Sequence, residues 1–518
     1  MREWLPAGHP VWLVIDALGR MDTSAFHAGR RTGGAGAAGY DPDMLLAVLV
    51  RAYAHRESSS RRMEELCRTD VAFRVICGGN LPDHSTIARF RKDFGEAVAG
   101  FFTEVLVLCA RLGMGRLGVV ALDGTKIAAD ASKAANRTEK RLRELAAEAV
   151  AAHAAADAAE DELFGAGRGD ELPPDGDGKA WSPRRRGERV AAALAQMEAE
   201  RAAEQAERDA QAEQFRARQQ AGQRTGCSPV HAAVALAEEN LARVIAERQA
   251  QLAALEEQYA AGQPRRGRGA GVEDYCRVRR ARDKVGKARE RAAAAEARAA
   301  AKAGPGPVRN VTDPDSRLMP VRGGGFIQGY NAQNVVSEDG LVIATELTDD
   351  TTDMAWYEPM VRQAEQAAAL IEAHRPARPE GTGEPGGIGQ VLADAGYCSQ
   401  ANLDCPGPDR LIAAGKRRDL EKAARDSGAA DPGWGGPAIR DMRARLKTPD
   451  GIAACRQRGH IAETPHGHIK HNLGFRQLSL RGKDKAAAEW RFTCAVHNLL
   501  KALAGGHLTP QALAALAG

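Results

Sequence analysis

The sequence predicts an α/β protein with a helical region before its sheet and a long helical insertion within it. Short apolar runs that end in an aspartate and turn residues occur at 119–123 and 390–394, which indicates two buried strands. Residues 137–305 consist mostly of Ala, Glu, Arg and Gln, a composition typical of solvent-exposed helices. Residues from about 40 to 113 carry helix caps and apolar faces in quick succession, which indicates a compact helical unit.

Bulk composition limits the class of protein and partner. A chain of 518 residues is too long for one ordinary hydrophobic core, so we expect two or three domains. The net charge of +4 mildly favours a nucleic-acid partner. None of the nine cysteines forms a C-x-x-C pair, which argues against a zinc ribbon or a disulfide scaffold and favours a reducing cytoplasm. The sequence has neither a signal-peptide pattern nor a membrane-spanning apolar run, so no membrane partner is expected.

The N-terminal helical region contains a basic helix. A turn rich in cap residues precedes a segment that places Ile87, Phe90 and Phe94 on its apolar side. Arg89 and Lys92 lie on the opposite side, which faces solvent. A helix, a turn and a basic helix are compatible with binding in the major groove of DNA. A helical bundle with a solvated basic edge explains the same pattern equally well.

The insertion contains a narrow apolar seam. Apolar residues recur there with alternating four- and three-residue steps, interrupted once by an arginine, at Leu241, Ile245, Leu252, Leu255 and Tyr259. This spacing is typical of a coiled coil, so we expect a helical hairpin or arm. The arm could drive dimerisation or grip DNA. A tolerated spacer is slightly favoured, because long surface insertions cost little stability.

The remainder of the chain predicts the rest of the sheet. Residues 325–336 and 341–347 read as a β-hairpin, and helical residues 353–374 separate it from the strand at 390–394. Acids at strand ends, approached by a glutamate from a late helix, fit an RNase H-like, retroviral-integrase-like catalytic core. The insertion then falls between the first and second strands of that core.

These patterns predict five segments. Residues 1–113 are predicted to form an N-terminal helical, DNA-binding domain. The catalytic domain is expected in two parts, 114–136 and 306–505, with the helical insertion at 137–305 between them. Residues 506–518 are expected to be a C-terminal tail.

Three acidic residues are the candidates for catalysis. Asp123 and Asp394 each end an apolar run, and Glu463 lies seven residues before Lys470. Carboxylates of this kind can hold two hard metal ions over a phosphodiester, which is the chemistry of cutting and joining DNA. A lone aspartate before a glycine is more often a turn residue. Glu489, on a later helix, is the nearest alternative to Glu463.

Eight segments together resemble the DDE transposases of bacterial insertion sequences. They are spread in one order over nearly the whole chain outside the insertion, at 40–46, 70–74, 82–90, 122–129, 329–333, 393–397, 463–476 and 490–500. The chain resembles in particular the insertion-sequence family numbered eleven-eighty-two, a relative of the larger group numbered four. Each segment alone is weak, and the ordered set is the signal.

The resemblance implies that Asp123, Asp394 and Glu463 are the catalytic triad and ligate Mg²⁺, for which Mn²⁺ would substitute. Lys470 corresponds to the basic residue that follows the glutamate by about two helical turns in the family. Together with Lys126 and Arg476 it would contact DNA phosphates. The partners implied are the terminal inverted repeats and target DNA. Synapsis of two ends favours a homodimer, in the cytoplasm and at the nucleoid when bound to DNA.

The sequence departs from the family pattern near the glutamate. Related transposases often have a tyrosine and an arginine shortly before it, whereas this chain has Arg456 and Arg458 without a tyrosine. Arg456 lies two helical turns before Glu463, and Arg458 lies off that face. Thr464 and Pro465 resemble a helix cap followed by a proline at the first helical position, which predicts a helix start or kink at Glu463.

Other polar residues near these motifs have two interpretations. Four histidines, His460, His466, His468 and His471, surround Glu463. Phosphate contact or solvent exposure is favoured over a zinc site, because neither a cysteine pair nor H-E-x-x-H spacing accompanies them. Tyr330, Asn331 and Gln333 lie on the hairpin strand, where sheet packing is favoured over support of a metal site.

Three functions remain open from the sequence. An active transposase is favoured because all three acids are present. A catalytically silent, repurposed DNA-binding protein would keep the fold without cutting. A plain metal-dependent nuclease would share the acids without recognising the ends of a mobile element.

Overall fold

The computed structural model of the chain describes residues 2–28, 39–93, 95, 97–148, 151, 183–223, 227–262, 270–302, 307–321, 323–376, 386–415 and 436–516. The chain divides into two compact units. The first comprises Met1–Asn136 and Asn310–Gly518, and the second is Arg137–Arg309. None of the described helices is both long enough and apolar enough to cross a membrane.

A mixed six-stranded sheet forms the centre of the first unit. Its strands are β1 (Val119–Ala128), β4 (Arg317–Pro320), β5 (Phe326–Ser337), β6 (Val342–Thr348), β7 (Gln390–Ala393) and β8 (Asp409–Ile412). The order is β4-β5-β1-β7-β8, with β6 also paired to β5. The pairs that involve β5 are antiparallel, whereas β1–β7 and β7–β8 are parallel. The predicted hairpin is therefore confirmed as β5 and β6.

The first strand is longer than the sequence indicates. We expected it to end at Asp123, but β1 continues to Ala128. The continuation pairs with β5, where Asp123 lies opposite Asn334. The parallel pairing with β7 does stop before Asp123, at Leu122. The expectation failed because the turn-forming signal of Asp-Gly is local, whereas a partner strand more than 200 residues away supplies the hydrogen bonds that extend β1.

Helices surround this sheet. Those of eight residues or more in the first unit are Pro10–Leu18, Pro42–Ala54, Ser60–Thr69, His84–Lys92, Ala97–Arg111, Tyr357–His374, Pro437–Leu446, Pro449–Gly467 and Lys483–Ala504. Shorter ones are Ser24–His27, Val71–Cys77, Gln400–Asp404 and Pro510–Ala515. The helix Lys483–Ala504 packs against β6 and against Ala97–Arg111. Its Trp490 is fully buried, and so are Phe492 and Val496.

The N-terminal basic helix has the predicted faces. It spans His84–Lys92, and Asp83 caps it by accepting hydrogen bonds from two backbone N–H groups. Ile87 is buried, whereas Arg89 and Lys92 are exposed. Phe94 lies outside the described residues. The burial of one face and the exposure of two basic side chains follow from the 3.6-residue period of the helix.

The second unit is built from long helices. Its described part contains a helix at 139–148 and three long helices, Pro183–Gln220, Ala233–Ala260 and Cys276–Lys302, of which the last two pack against each other. The expected hairpin is therefore accompanied by a third long helix. The seam residues are half-buried, and the fully buried apolar residues of the middle helix include Leu236 and Val244. The short strands β2 (Asn136–Thr138) and β3 (Val308–Asn310) pair where the chain passes between the two units.

Candidate active site

Asp123 and Asp394 lie on neighbouring strands. The parallel pairing of β1 with β7 ends at Leu122 and Ala393, and each of these residues is followed directly by one of the two aspartates. The carboxyl ends of parallel strands meet at one edge of the sheet, where ligands of α/β proteins bind. Asp394 also begins a short 3₁₀ turn, in which its Oδ1 accepts a hydrogen bond of 2.8 Å from the Gly396 backbone N–H.

Both aspartates are in an environment that disfavours their negative charge. Burial raises the pKa of Asp123 to about 7, and the nearby Asp394 contributes to the same shift. The guanidinium of Arg458, whose Nη1 lies 3.9 Å from Asp123 Oδ2, opposes this shift. Burial also raises the pKa of Asp394, against the opposing effects of the Gly396 N–H and Arg458. Paired carboxylates with too few cations nearby are suited to hold a metal ion.

A third aspartate that the sequence did not single out belongs to the same cluster. Asp353 precedes the helix Tyr357–His374, and its charge raises the pKa of both Asp123 and Asp394. Asn331 and Gln333, on β5, each donate a side-chain hydrogen bond to it. The amides of Asn331 and Gln333 could have indicated a nearby acid, because a buried strand rarely carries two amide side chains without a polar partner.

Tyr330 has a different role from its two neighbours. Its hydroxyl donates hydrogen bonds of 2.9 Å to both carboxylate oxygens of the buried Asp313, on the other side of β5. The favoured interpretation, polar satisfaction within the sheet, therefore describes Tyr330. For Asn331 and Gln333 the geometry matches the alternative, because their amides contact an acid of the candidate site.

Glu463 lies on a helix that passes above this edge of the sheet. The helix spans Pro449–Gly467 and contacts β1, β5 and β7. The predicted helix start at Glu463 is wrong: the cap is Thr448, followed by Pro449, and the helix runs on through Pro465. The Glu463 side chain is exposed, and Arg458 on the same helix reaches Asp123. Convergence of Glu463 with the two aspartates stays a prediction.

The alternative acid, Glu489, is fully buried and already occupied. Tyr53, Arg91 and Ser479 donate hydrogen bonds to its carboxylate. A carboxylate in such surroundings has no oxygen to offer a metal ion, so the structure favours Glu463 over Glu489 as an accessible acid.

Two lysines line the acidic cluster. Lys126 Nζ lies 3.5 Å from Asp353 Oδ1 and donates to the Thr351 carbonyl oxygen. Lys470 lies on a π-helical turn, His468–Asn472, and its Nζ donates to Thr125 Oγ1 and to the Lys126 carbonyl oxygen. The two predicted DNA contacts are therefore anchored next to Asp123.

Arg476 is exposed beyond this turn. Its Nε donates to the Lys470 carbonyl oxygen, and its Nη2 donates to His471. The contact of these residues with DNA stays a prediction, as it does for Arg89 and Lys92.

The four histidines around Glu463 do not form one site. His466 is buried and accepts a hydrogen bond from the Asn334 side chain, whereas His468 pairs with His497. Among the described residues, a single group of three possible ligands has all its ligand atoms within 4.8 Å of one another, and it is His27, Asp41 and Asp43. The preference against zinc at the histidines stays a prediction.

Two family models match parts of the chain. Residues 1–93 match a family described as Transposase domain (DUF772), and residues 436–503 match one described as Transposase DDE domain. No curated protein and no solved structure matches the chain. The matches support an insertion-sequence DDE transposase, an enzyme class that acts on DNA and generally uses divalent metal ions. A DDE domain implies an RNase H-like fold, with which the mixed sheet is consistent.

Proposed function

We propose that the chain is a transposase of the family numbered eleven-eighty-two that binds the terminal inverted repeats of its element and moves them by Mg²⁺-dependent strand cleavage and strand transfer. The observation that supports this most strongly is the meeting of Asp123 and Asp394 at the end of the β1–β7 pair. Residues 436–503, which match a transposase DDE domain, include Glu463 and Arg458. Arg458 contributes the cation nearest to Asp123 among the described ion pairs.

Asp123, Asp394 and Glu463 would hold the metal ions. Mg²⁺ prefers carboxylate oxygens, and the buried amide oxygen of Asn331 beside the cluster adds a donor of the same kind. Bound divalent ions activate a water or hydroxyl nucleophile and stabilise the leaving oxygen of a phosphodiester. Burial of Asp123 and Asp394 keeps bulk water from screening their charges, which strengthens their attraction for a cation.

Basic residues would position the DNA around these acids. Lys126 donates to the Thr351 carbonyl oxygen near Asp353, and Lys470 donates to the Lys126 carbonyl oxygen, so both ammonium groups are held at the acidic cluster. Arg476 is exposed next to Lys470, to whose carbonyl oxygen its Nε donates a hydrogen bond. In the N-terminal region, Arg89 and Lys92 would contact the duplex further from the cut. A homodimer would bring two element ends together.

The first prediction concerns Asp123. Asp123→Asn should lower nicking at an inverted-repeat boundary at least about a thousandfold, because losing a metal ligand removes about 4 kcal/mol of transition-state stabilisation. Duplex affinity should stay nearly unchanged, since the exposed basic residues are intact. The assay incubates full-length protein with Mg²⁺ and a labelled duplex that carries the candidate repeat, and scores nicking and joining on a gel.

Asp130→Asn is the matched control. Asp130 lies just beyond β1, is partly exposed and pairs with Arg481, so its replacement should leave nicking intact. Wild-type nicking by Asp123→Asn would remove Asp123 from the site. Cleavage without preference for the repeat would indicate a nuclease, and binding without cleavage by the unaltered protein would indicate a repurposed DNA-binding protein.

A further inference from the structure

We propose that Asp353 is an additional metal ligand of this site and offers its Oδ2 atom to a divalent cation beside Asp394. The inference rests on the proposed function, and it adds a carboxylate that lies outside the predicted triad. Three features of the described structure carry it: the space kept open around Asp353, the unequal use of its two oxygens, and an unpartnered amide oxygen next to it.

Two glycines keep the space around Asp353 open. A Cβ placed on Gly124 would lie 2.6 Å from Asp353 Oδ1. A Cβ placed on Gly396 would lie 3.2 Å from Asp353 Oδ2 and 3.0 Å from Asp394 Oδ1. Asp353 therefore occupies the gap between the residues that follow Asp123 and Asp394. A side chain at Gly124 would collide with Asp353, and a side chain at Gly396 would be in tight contact with it, so glycine suits both positions.

The two oxygens of Asp353 are used differently. Oδ1 accepts hydrogen bonds of 2.7 Å from Asn331 Nδ2 and from Gln333 Nε2, and it lies 3.5 Å from Lys126 Nζ. Within the described part of the chain, no hydrogen bond to Oδ2 is formed, and a Cβ on Gly396 would lie close to both this atom and Asp394 Oδ1. Carboxylates that ligate metals are typically held in this way, with one oxygen fixed by hydrogen bonds and the other turned to the ion.

An amide oxygen next to Asp353 lacks a donor. Asn331 is fully buried, and within the described part of the chain its Oδ1 has no hydrogen-bond partner. This oxygen lies 3.2 Å from the position that a Cβ on Gly124 would take, beside Asp353 Oδ1. A buried polar atom without a partner is costly, so it points to a species that the site accommodates in function. A hydrated cation satisfies both this oxygen and the surrounding carboxylates.

The three aspartates are too widely spaced for one ion to contact all of them as they stand. Asp123, Asp353 and Asp394 are not among the described groups whose ligand atoms all lie within 4.8 Å of one another. Two ions about 3.5–4 Å apart need a wider set of ligands than a single ion does. Asp353 would then add a ligand beside Asp394 to the set that Asp123 and Glu463 are proposed to complete.

The test measures Mn²⁺ binding by full-length protein without DNA, from the electron paramagnetic resonance signal of free Mn²⁺. Asp353→Asn should weaken binding at least about tenfold. The asparagine Oδ1 can still accept hydrogen bonds from Asn331 and Gln333. If Asp353 served only as their acceptor, Asp353→Asn would therefore bind Mn²⁺ like the parent. Asp349→Asn is the matched control: Asp349 lies four residues earlier, is similarly buried and pairs with Arg317 and Lys483.

Each outcome decides the question. Binding by Asp353→Asn as tight as that of the parent, or an equal loss in Asp349→Asn, would overturn the inference. If Asp353→Asn fails to give the circular dichroism spectrum of the parent, Gly396→Ala replaces it, because its Cβ would crowd both Asp353 Oδ2 and Asp394 Oδ1 and should weaken Mn²⁺ binding as well. If the parent nicks repeat DNA while Asp353→Asn binds Mn²⁺ as tightly as the parent, the proposed function stands and only this inference fails.

Discussion

Two acids of this protein, Glu489 and Asp123, have opposite surroundings. Glu489 has no exposed surface, and its carboxylate accepts hydrogen bonds from Tyr53, Arg91 and Ser479 as well as from the Leu480 backbone N–H. Asp123 is largely buried too, yet the charges closest to it include two further aspartates. Arg458, at 3.9 Å, is the nearest cation to it among the described ion pairs.

The difference separates a buried charge that is compensated within the fold from a buried charge that is not. Glu489 joins the helix Lys483–Ala504 to the basic helix through Arg91, and its donors compensate for the loss of water. Asp123 lacks this compensation and has like-charged neighbours, which is why its pKa is raised. A protein can sustain such an arrangement where a ligand supplies the missing charge, so the comparison favours the surroundings of Asp123 as a ligand site without reference to any family.

The largest effect should follow from breaking the satisfied pair. Arg91→Met leaves Glu489 buried without its cation and should lower the free energy of unfolding by about 3–5 kcal/mol. Urea unfolding followed by tryptophan fluorescence measures it. Arg89→Met, two residues earlier and exposed, is the control and should change stability by less than about 0.5 kcal/mol. Equal effects of the two changes would mean that the buried pair is not a structural link.

Removing the unsatisfied charge should have the opposite sign. Without divalent cation, Asp123→Asn should be more stable than the parent at pH 8 by up to about 4 kcal/mol, because the pKa of Asp123 rises on folding from 3.8 to about 7. Between these values the folded state keeps a proton that the unfolded state has released, so parent stability falls as pH rises. At pH 3, below both pKa values, the two proteins should be about equally stable. A stability difference that does not change with pH would show that the titration of Asp123 is not its cause.

A smaller loss should follow from filling the space beside Asp353. Gly124→Ala would bring its Cβ to 2.6 Å from Asp353 Oδ1 and 2.7 Å from Gln333 Nε2, so these groups must move, at a cost of about 1–3 kcal/mol in unfolding free energy. Gly118→Ala is the control, because no atom lies within 4 Å of its new Cβ. Thermal unfolding of both variants measures the difference. A Gly124→Ala protein as stable as the control would show that the cluster adapts freely.

The parts of the site that depend on local pattern were predictable from the sequence. The apolar run before Asp394 gives the strand β7 and its end, and the apolar period of the basic helix gives the exposure of Arg89 and Lys92. The exposure prediction succeeds because burial on a helix repeats with its 3.6-residue period, and the strand prediction succeeds because a short apolar run bounded by turn residues is typical of a buried strand. The acids at the β1–β7 edge follow from the same rule.

The parts that depend on distant partners were not predictable. No sequence pattern around Asp353 predicts a place in the site, because this residue lies in a loop. Its position there depends on Asn331, Gln333 and the two glycines, which are distant in the sequence. The helix around Glu463 also violates a local rule, because Pro465 lies in its interior where a proline removes a backbone donor. Packing of this helix on the sheet outweighs that local preference.

The position of β1 in the sheet has a consequence for how the chain is made. This strand needs β5 on one side and β7 on the other, yet more than 200 residues are synthesised between Val119 and Ser337. At translation rates of about 5–20 residues per second, β1 remains without a partner strand for roughly 10–40 s, until β5 has been synthesised. The helices of Arg137–Arg309 can form from local contacts during that interval, and the β2–β3 pair then draws their two ends together, which shortens the loop that the late strands must close.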